Sequence, residues 1–153
     1  MGVGCRSSVP PLANTEPSAM ALAGAVLKAL EAKDANRLAA LALNEPEFRD
    51  HVWPELPAAR PERNLPFSYV WLELRQKSDA SLSRLIQSVG GRQFDLVSIS
   101  FSSGTTPYGS YLVHRKAVLT VKDASGAERQ LQAFGSVLEK AGRFKVFSYV
   151  IDD

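Results

Sequence analysis

The chain has 153 residues, 45% of them hydrophobic, and this length and composition fit one domain around its own core. Its 18 basic and 16 acidic side chains leave a formal net charge of +2, which argues against a nucleic-acid partner, because such a partner requires a clustered basic surface. One cysteine excludes a disulfide within the chain, and with only two histidines we expect no metal and no cofactor.

Residues 1–17 carry three prolines and few large apolar side chains. Such a segment buries too little apolar surface to offset the entropy lost on ordering. We therefore predict a flexible tether over residues 1–17, followed by a single domain over residues 18–153. The chain contains no apolar run long enough to cross a bilayer and no complete signal peptide.

The N-terminal half of the domain shows helical spacing of apolar residues and a series of cap signals. Ser18 is a good N-cap for an amphipathic helix over residues 19–34. Asp34 can cap a second helix, and Asn44 a third with Pro46 in its first turn and Pro54 at its end.

A proline-rich connection and further helical spacing follow. Residues 54–66 hold four prolines and predict a long irregular crossing of the surface. Residues 67–76 and 78–89 then have helical spacing, with Ser78 as a helix start and Gly90 as the stop.

Beyond Gly91 the apolar period changes from helical to two. Four antiparallel strands are predicted, over residues 94–102, 111–123, 128–139 and 143–151, joined by hairpin connections. The fold class is therefore α+β, with N-terminal helices packed on a curved antiparallel sheet of four or more strands. Both faces of the last strand are apolar, so we expect a partner subunit or a fold-over of the sheet to cover the second face.

The final hairpin resembles a known family. Residues 135–139, the Ala-Gly-Arg turn at 141–143 and residues 144–149 are similar to the nuclear-transport-factor-2-like superfamily, the cone-shaped fold of ketosteroid isomerase. The resemblance covers residues 18–152 as a pattern of elements. Many relatives carry tryptophan where this chain has Phe144, and relatives often have an early hairpin where residues 54–65 show no strand pattern.

The resemblance implies an apolar cavity at the wide end of the cone, which is the usual form of a small-molecule site. It also implies that an enzyme of this type would use an Asp or His inside the cavity as a general base. The best catalytic candidate is His51, with Tyr111 or Tyr149 as hydrogen-bond donor. A satisfied surface or core-edge histidine is the alternative reading of His51.

Aromatic residues and one arginine are the ligand-binding candidates. Cavity walls or plain core can be formed by the aromatic side chains of Trp53, Tyr69, Trp71 and Tyr149. Strand alternation places Arg115 in an apolar row, where it either meets an anionic group or lies at an open rim, and it places His114 on the opposite, outward face.

The segment from Gly2 to Cys5 resembles the end of a bacterial lipoprotein leader, in which the cysteine is lipidated and a Ser/Pro/Asn-rich tether follows. This implies a location in the cell envelope or periplasm, with the membrane reached only through the lipid. The alternative is a cytoplasmic protein with an exposed, unpaired Cys5.

Three hypotheses follow. The first is a non-catalytic domain, tethered in the bacterial envelope, that binds a small apolar molecule or a partner. The second is an enzyme of the isomerase, cyclase or dehydratase type that acts on an apolar substrate. The third is an interaction module that forms a homodimer through the second face of its sheet.

Overall fold

The structure is a computed structural model that describes residues 9–151. It confirms the α+β class: helices pack on two antiparallel sheets. The helices are α1 (Ala19–Glu31), α2 (Ala35–Ala40), α3 (Glu45–Glu47) and α4 (Phe67–Val89). The strands are β1 (Asp95–Phe101), β2 (Thr105–Pro107), β3 (Tyr111–His114), β4 (Ala117–Lys122), β5 (Glu128–Leu131), β6 (Ser136–Lys140) and β7 (Arg143–Ser148).

The first three helix starts are confirmed. Ser18, Asp34 and Asn44 each accept a hydrogen bond from the backbone N–H three residues further on, at 2.9 to 3.0 Å. At α3 the cap is reciprocal, because a carboxylate oxygen of Glu47 accepts from the N–H of Asn44 at 3.1 Å. Three of the four helices therefore begin where local hydrogen-bonding chemistry places them.

The third helix leaves α-helical geometry earlier than predicted: it widens into a π-helical turn at Phe48–Val52, and Pro54, its predicted end, lies inside a 3₁₀ turn at Trp53–Glu55. The connection that follows is more regular than predicted, with two further 3₁₀ turns at Pro57–Ala59 and Pro61–Arg63. Each 3₁₀ turn has proline in its first positions, where the missing N–H costs nothing. The prolines therefore begin short turns instead of only breaking structure.

The predicted helix start at Ser78 is wrong, because α4 runs unbroken through it. The Ser78 hydroxyl instead accepts a hydrogen bond from the backbone N–H of Tyr149 at 2.9 Å. A tertiary partner thus satisfies a side chain that would otherwise favour a cap. The predicted stop is confirmed, since α4 ends before Gly90, where a Cβ would clash with the carbonyl oxygen of Ile86.

Two of the four predicted strands are each divided in two, the second into β3 and β4 and the third into β5 and β6. The strands therefore form two sheets, with orders β1-β4-β5 and β2-β3-β6-β7. The bend in the second strand lies at Arg115 and Lys116, where Lys116 has a φ of +60°. Backbone hydrogen bonds continue across it, from Arg115 to Gly104 and from Ala117 to Gly135, both at 2.8 Å. Strand β2 lies within a segment predicted as a connection, because its pairing with β3 is a tertiary contact.

The bend directs one strand into two separate cores. Tyr111 and Val113 pack in the aromatic core, which is built around Phe48 and Trp71 and includes Leu138. Beyond the bend, the inward residues are Ala117, Leu119 and Val121. They pack in a second core, called the α1 core, which contains the buried face of α1 and buried residues of β4, β6 and β7. The predicted alternation of buried residues is confirmed, with Arg115 exposed at the bend.

Both faces of β7 are covered by segments of the same chain. Val146 is buried in the α1 core, whereas Phe147 packs against the aromatic core. The outer edge of β7 is also paired: Glu16 exchanges two backbone hydrogen bonds with Phe144, and residues 41 and 43 bond to Val146. No partner subunit is required to cover this strand.

A buried ion pair fastens the segment before α1 to β7. The Lys145 side chain is 1% exposed, and its Nζ lies 2.8 Å from Oε1 of Glu47 and donates to the carbonyl oxygen of Ala13 at 2.6 Å. The other Glu47 oxygen accepts from the N–H of Ala13 at 2.8 Å. Arg143 adds two hydrogen bonds to Thr15, both at 3.0 Å. This part of the predicted tether, residues 13–16, therefore lies hydrogen-bonded against the domain.

Removal of one partner of this pair should destabilise the domain strongly. We expect Lys145→Met to lower the free energy of unfolding by about 3–5 kcal/mol, because it leaves the Glu47 carboxylate buried without its cation. Urea unfolding followed by circular dichroism measures this. The matched control is Lys77→Met, which breaks the exposed pair with Glu73 and should change stability by less than about 1 kcal/mol. Equal effects of the two substitutions would contradict the assigned role.

Candidate functional site

An apolar cleft lies between α2 and α3 on one side and α4 on the other, above the end of β7. Its volume is about 200 Å³. Its apolar lining includes Leu43, Trp71, Leu74, Leu82, Phe147 and Tyr149. The unbroken course of α4 creates this cleft, since the bond between Ser78 and Tyr149 holds the middle of the helix at the end of β7.

The polar groups of the cleft lie mainly at its rim. Asn44 and Glu45 come from the start of α3, and Arg75 and Asp79 form an exposed ion pair of 3.6 Å along α4. Ser78, deeper in the cleft, already accepts the bond from Tyr149. The arrangement therefore offers apolar walls to a ligand and charged groups only where the ligand would meet solvent.

A second, more open groove runs along the other side of α4. It has a volume of about 540 Å³, and its walls include Leu65, Tyr69 and Val150. Leu74 and Phe147 line both sites, so they separate the groove from the cleft. Tyr69 is 58% exposed at its wall, so the groove offers little enclosure to a ligand.

The structure brings together only some of the predicted ligand-binding residues. Trp71 lines the cleft, together with Tyr149, whereas Tyr69 lies in the groove across α4. Trp53 is half-buried and packs edge-on against Phe67 at a ring-centroid distance of 5.6 Å. Arg115 is exposed at the bend and lines neither site.

Each of the three catalytic candidates bonds to a backbone carbonyl group of the protein. Tyr111 is buried in the aromatic core and donates to the carbonyl oxygen of Val52 at 2.8 Å. Tyr149 belongs to the α1 core and donates to the carbonyl oxygen of Leu38. His51 lies against the N-terminal segment, with Nε2 2.7 Å from the Pro10 carbonyl oxygen.

The second nitrogen of His51 is also occupied, since Nδ1 lies 3.2 Å from Nζ of Lys140. A lysine ammonium only donates, so the neutral ring carries its proton on Nε2 and gives it to Pro10. His51 thus tethers the segment before α1, and it lines neither the cleft nor the groove.

The other histidine, His114, has a polar setting that sequence reasoning missed. Its Nδ1 lies 2.7 Å from Oγ1 of Thr105, and its Nε2 lies 2.8 Å from Oε1 of Glu139. The ring lies between Phe101 and Phe144, at centroid distances of 5.0 and 6.1 Å.

The prediction that His114 faces outward is only partly correct. It does lie opposite Tyr111 and Val113, but its neighbours Phe101 and Phe144 pack against the α1 core, and its side chain is 16% exposed. Recognition of residues 105–107 as a strand is the signal that would have paired Thr105 with His114.

Comparison of the chain with protein-family models, with curated proteins and with solved structures found no match. Over residues 9–151, no helix combines the length and apolarity needed to span a membrane. The same residues contain no group of three His, Cys, Asp or Glu side chains arranged to hold a metal ion. Cys5, the predicted lipidation site, lies outside the described residues.

The buried tyrosines should make the fold sensitive to alkali. Burial raises the pKa of the Tyr111 and Tyr149 hydroxyls above the ordinary tyrosine value. Their contribution to stability is fully present below about pH 10, where tyrosines of the unfolded chain ionise, and is lost as the pH rises further. Urea unfolding across this range should show a falling free energy, with a shallower fall in Tyr149→Phe. An unchanged slope in that variant would disprove the assignment.

Proposed function

We propose that the chain is a binding domain that holds a small apolar molecule in the cleft between α3 and α4, without chemistry on the molecule at that site. The observation that carries this proposal is the set of three aromatic walls, Trp71, Phe147 and Tyr149, around a cleft of about 200 Å³. An engineered apolar cavity of about 150 Å³ already binds benzene.

The chemistry of the cleft indicates the class of ligand. A single aromatic ring or a short branched chain matches the volume, which is smaller than the roughly 300–1,000 Å³ of drug-sized sites. The exposed ion pair of Arg75 and Asp79 would meet a polar end of the ligand at the rim. The Tyr149 and Ser78 hydroxyls are engaged within the protein and leave the interior without a free acid or base.

The order of elements supports membership in the nuclear-transport-factor-2-like superfamily as part of this proposal. Helices precede an antiparallel sheet that bends, and the chain ends in the β6–β7 hairpin, whose turn has positive φ at Ala141 and Gly142. A cone-like arrangement is compatible with this layout. The departures at Phe144 and in the 3₁₀ turns before α4 would make the chain a divergent member.

We further propose that Cys5 carries a lipid that anchors the domain in the bacterial cell envelope. The support is the small-residue stretch before Cys5 and the attachment of Pro10 and of residues 13–16 to the domain, which places the first of these contacts five residues after Cys5 in the chain. With its native upstream sequence, the chain should incorporate labelled palmitate and fractionate with membranes. Cys5→Ser should abolish both, and equal labelling of the two proteins would refute the anchor.

Binding in the cleft can be tested with toluene and indole as probes. Titration followed by ¹H–¹⁵N NMR should give saturable shifts at residues of α4 and at Phe147 and Tyr149. Ala39→Phe, which places a ring in the cleft from an exposed position of α2, should abolish the shifts without creating a cavity in the core. The control Ala35→Phe lies on the same helix outside the cleft lining and should leave binding intact.

The binding proposal fails if neither probe gives saturable shifts. It fails equally if Ala39→Phe binds both probes as the unmodified protein does, because the probes would then lie elsewhere on the surface.

A further inference from the structure

We propose that Thr105, His114 and Glu139 form a hydroxyl–imidazole–carboxylate relay that makes Thr105 a nucleophile toward carboxylic esters. The two hydrogen bonds of His114, 2.7 Å to Thr105 and 2.8 Å to Glu139, place the three groups in series. This site lies on the four-stranded sheet, away from the apolar cleft. Neither the cleft nor the groove is lined by any of the three residues, so the inference is independent of the binding proposal.

The partners of His114 fix the position of its proton. A carboxylate only accepts hydrogen bonds, so the neutral ring carries its proton on Nε2 and donates it to Glu139. The lone pair of Nδ1 then accepts from the hydroxyl of Thr105. A nucleophile paired with a base, and a base oriented by a third group, is the arrangement that activates a hydroxyl.

The strand register explains why these side chains meet. Thr105 and His114 are direct cross-strand partners, and Glu139 lies two residues from Val137, the partner of His114 on β6. Hydrogen-bonded and non-hydrogen-bonded pairs alternate along an antiparallel ladder. Because backbone hydrogen bonds join residue 115 to 104 and residue 108 to 111, the 105/114 pair is of the non-hydrogen-bonded kind, in which side chains approach most closely. The flanking rings of Phe101 and Phe144 restrict rotation of the imidazole.

The same register supplies a donor for a developing oxyanion. In a non-hydrogen-bonded pair the backbone N–H points away from the partner strand, and within residues 9–151 β2 is the end strand of its sheet, paired with β3. The N–H of Thr105 is therefore directed toward the open edge of the sheet, next to its own hydroxyl. Pro107 lies two residues further along β2, at the next position whose backbone nitrogen faces this edge. Proline has no N–H, and at this position none is needed for pairing with β3. A nucleophile's own N–H is a recurrent oxyanion donor.

The reaction balances as an ordinary acyl transfer. Thr105 Oγ1 bonds to the ester carbonyl carbon while its proton passes to Nδ1 of His114. The carbon–oxygen bond to the leaving group breaks, and that oxygen takes the proton from Nδ1. Water then attacks the acyl-threonine and gives a proton to Nδ1, and this proton returns to Thr105 as the carboxylic acid departs.

The setting of Thr105 selects the substrate class. Thr105 is exposed at the sheet edge, so it can reach an ester without opening of the fold. Phe101 and Phe144 contact His114, the base that bonds Thr105, so we expect their rings to favour an aryl group on the substrate. The substrates we infer are aryl esters with short acyl chains.

Reaction with p-nitrophenyl acetate tests the relay, because both the released nitrophenolate and the acetylated protein can be measured. We expect an acetyl adduct on Thr105 in mass spectrometry of acid-quenched protein. Thr105→Val should abolish the adduct, and Thr105→Ser should retain it. His114→Asn should lower the acetylation rate by about 100-fold or more. Thr106→Val changes the neighbouring threonine and should react like the unmodified protein.

Glu139 is a positioning residue, and its role has a separate readout. ¹⁵N NMR of His114 should show the Nε2-protonated tautomer, and Glu139→Gln should raise the population of the Nδ1-protonated tautomer. His51→Asn controls for simple imidazole reactivity and should leave the rate unchanged. The proposal is overturned if no adduct forms on Thr105, if Thr105→Val hydrolyses the ester as fast as the unmodified protein, or if the activity follows His51.

Discussion

Lys145 and Glu47 form a buried ion pair, and three parts of the chain meet at it. Lys145 comes from the middle of β7, Glu47 completes the capping box of α3, and Ala13 gives both its N–H and its carbonyl oxygen to the pair. Each charge would be costly to bury alone, since the desolvation penalty amounts to several kcal/mol per ion. Together with the Ala13 backbone they leave few polar groups unpaired, so the three parts of the chain stabilise one another.

This junction determines where the cleft forms. The capping box fixes the start of α3, and the bonds of residues 41 and 43 to Val146 hold the preceding segment along β7. From there the chain turns through Phe48, which packs against Trp71 at a centroid distance of 5.4 Å and so positions α4. One wall of the cleft is therefore formed by the segment that the junction holds along β7, and the opposite wall is formed by α4. The end of β7 lies between the two walls.

The sheet bend has a comparable effect on the relay. The left-handed conformation of Lys116 ends β3 and lets the same strand enter a second core. A straight strand would bury one face throughout, whereas the bent strand exposes Arg115 and keeps His114 at the border of the α1 core, beside Phe101 and Phe144. The partial burial of the His114 imidazole at this border carries little desolvation penalty, because Thr105 and Glu139 form hydrogen bonds with both ring nitrogens.

Local chemistry explains what could be predicted from the sequence. The caps at Ser18, Asp34 and Asn44 and the change of period at Gly91 depend on neighbouring residues, and they gave the helix starts, the antiparallel sheet and the alternation in β3 and β4. Trp71 and Tyr149 were recognised as candidate walls of a site. The continuity of α4 through Ser78 and the burial of Lys145 depend on partners 71 and 98 residues away, and no local pattern contains them. The pairing of β2 depends on a partner 9 residues away and required residues 105–107 to be recognised as a strand. For the same reason His114 could be placed on a face but not beside its partners.

The most direct test of the junction is amide hydrogen exchange of Ala13 and Glu16 in the intact chain and in Lys145→Met. The intact chain should protect both amides, because they donate to Glu47 and to the Phe144 carbonyl. In the variant, both should exchange at close to unprotected rates while the amides shared by β3 and β6 remain protected. Native protection of Ala13 and Glu16 in the variant would contradict the claim that the buried pair holds the N-terminal segment to β7.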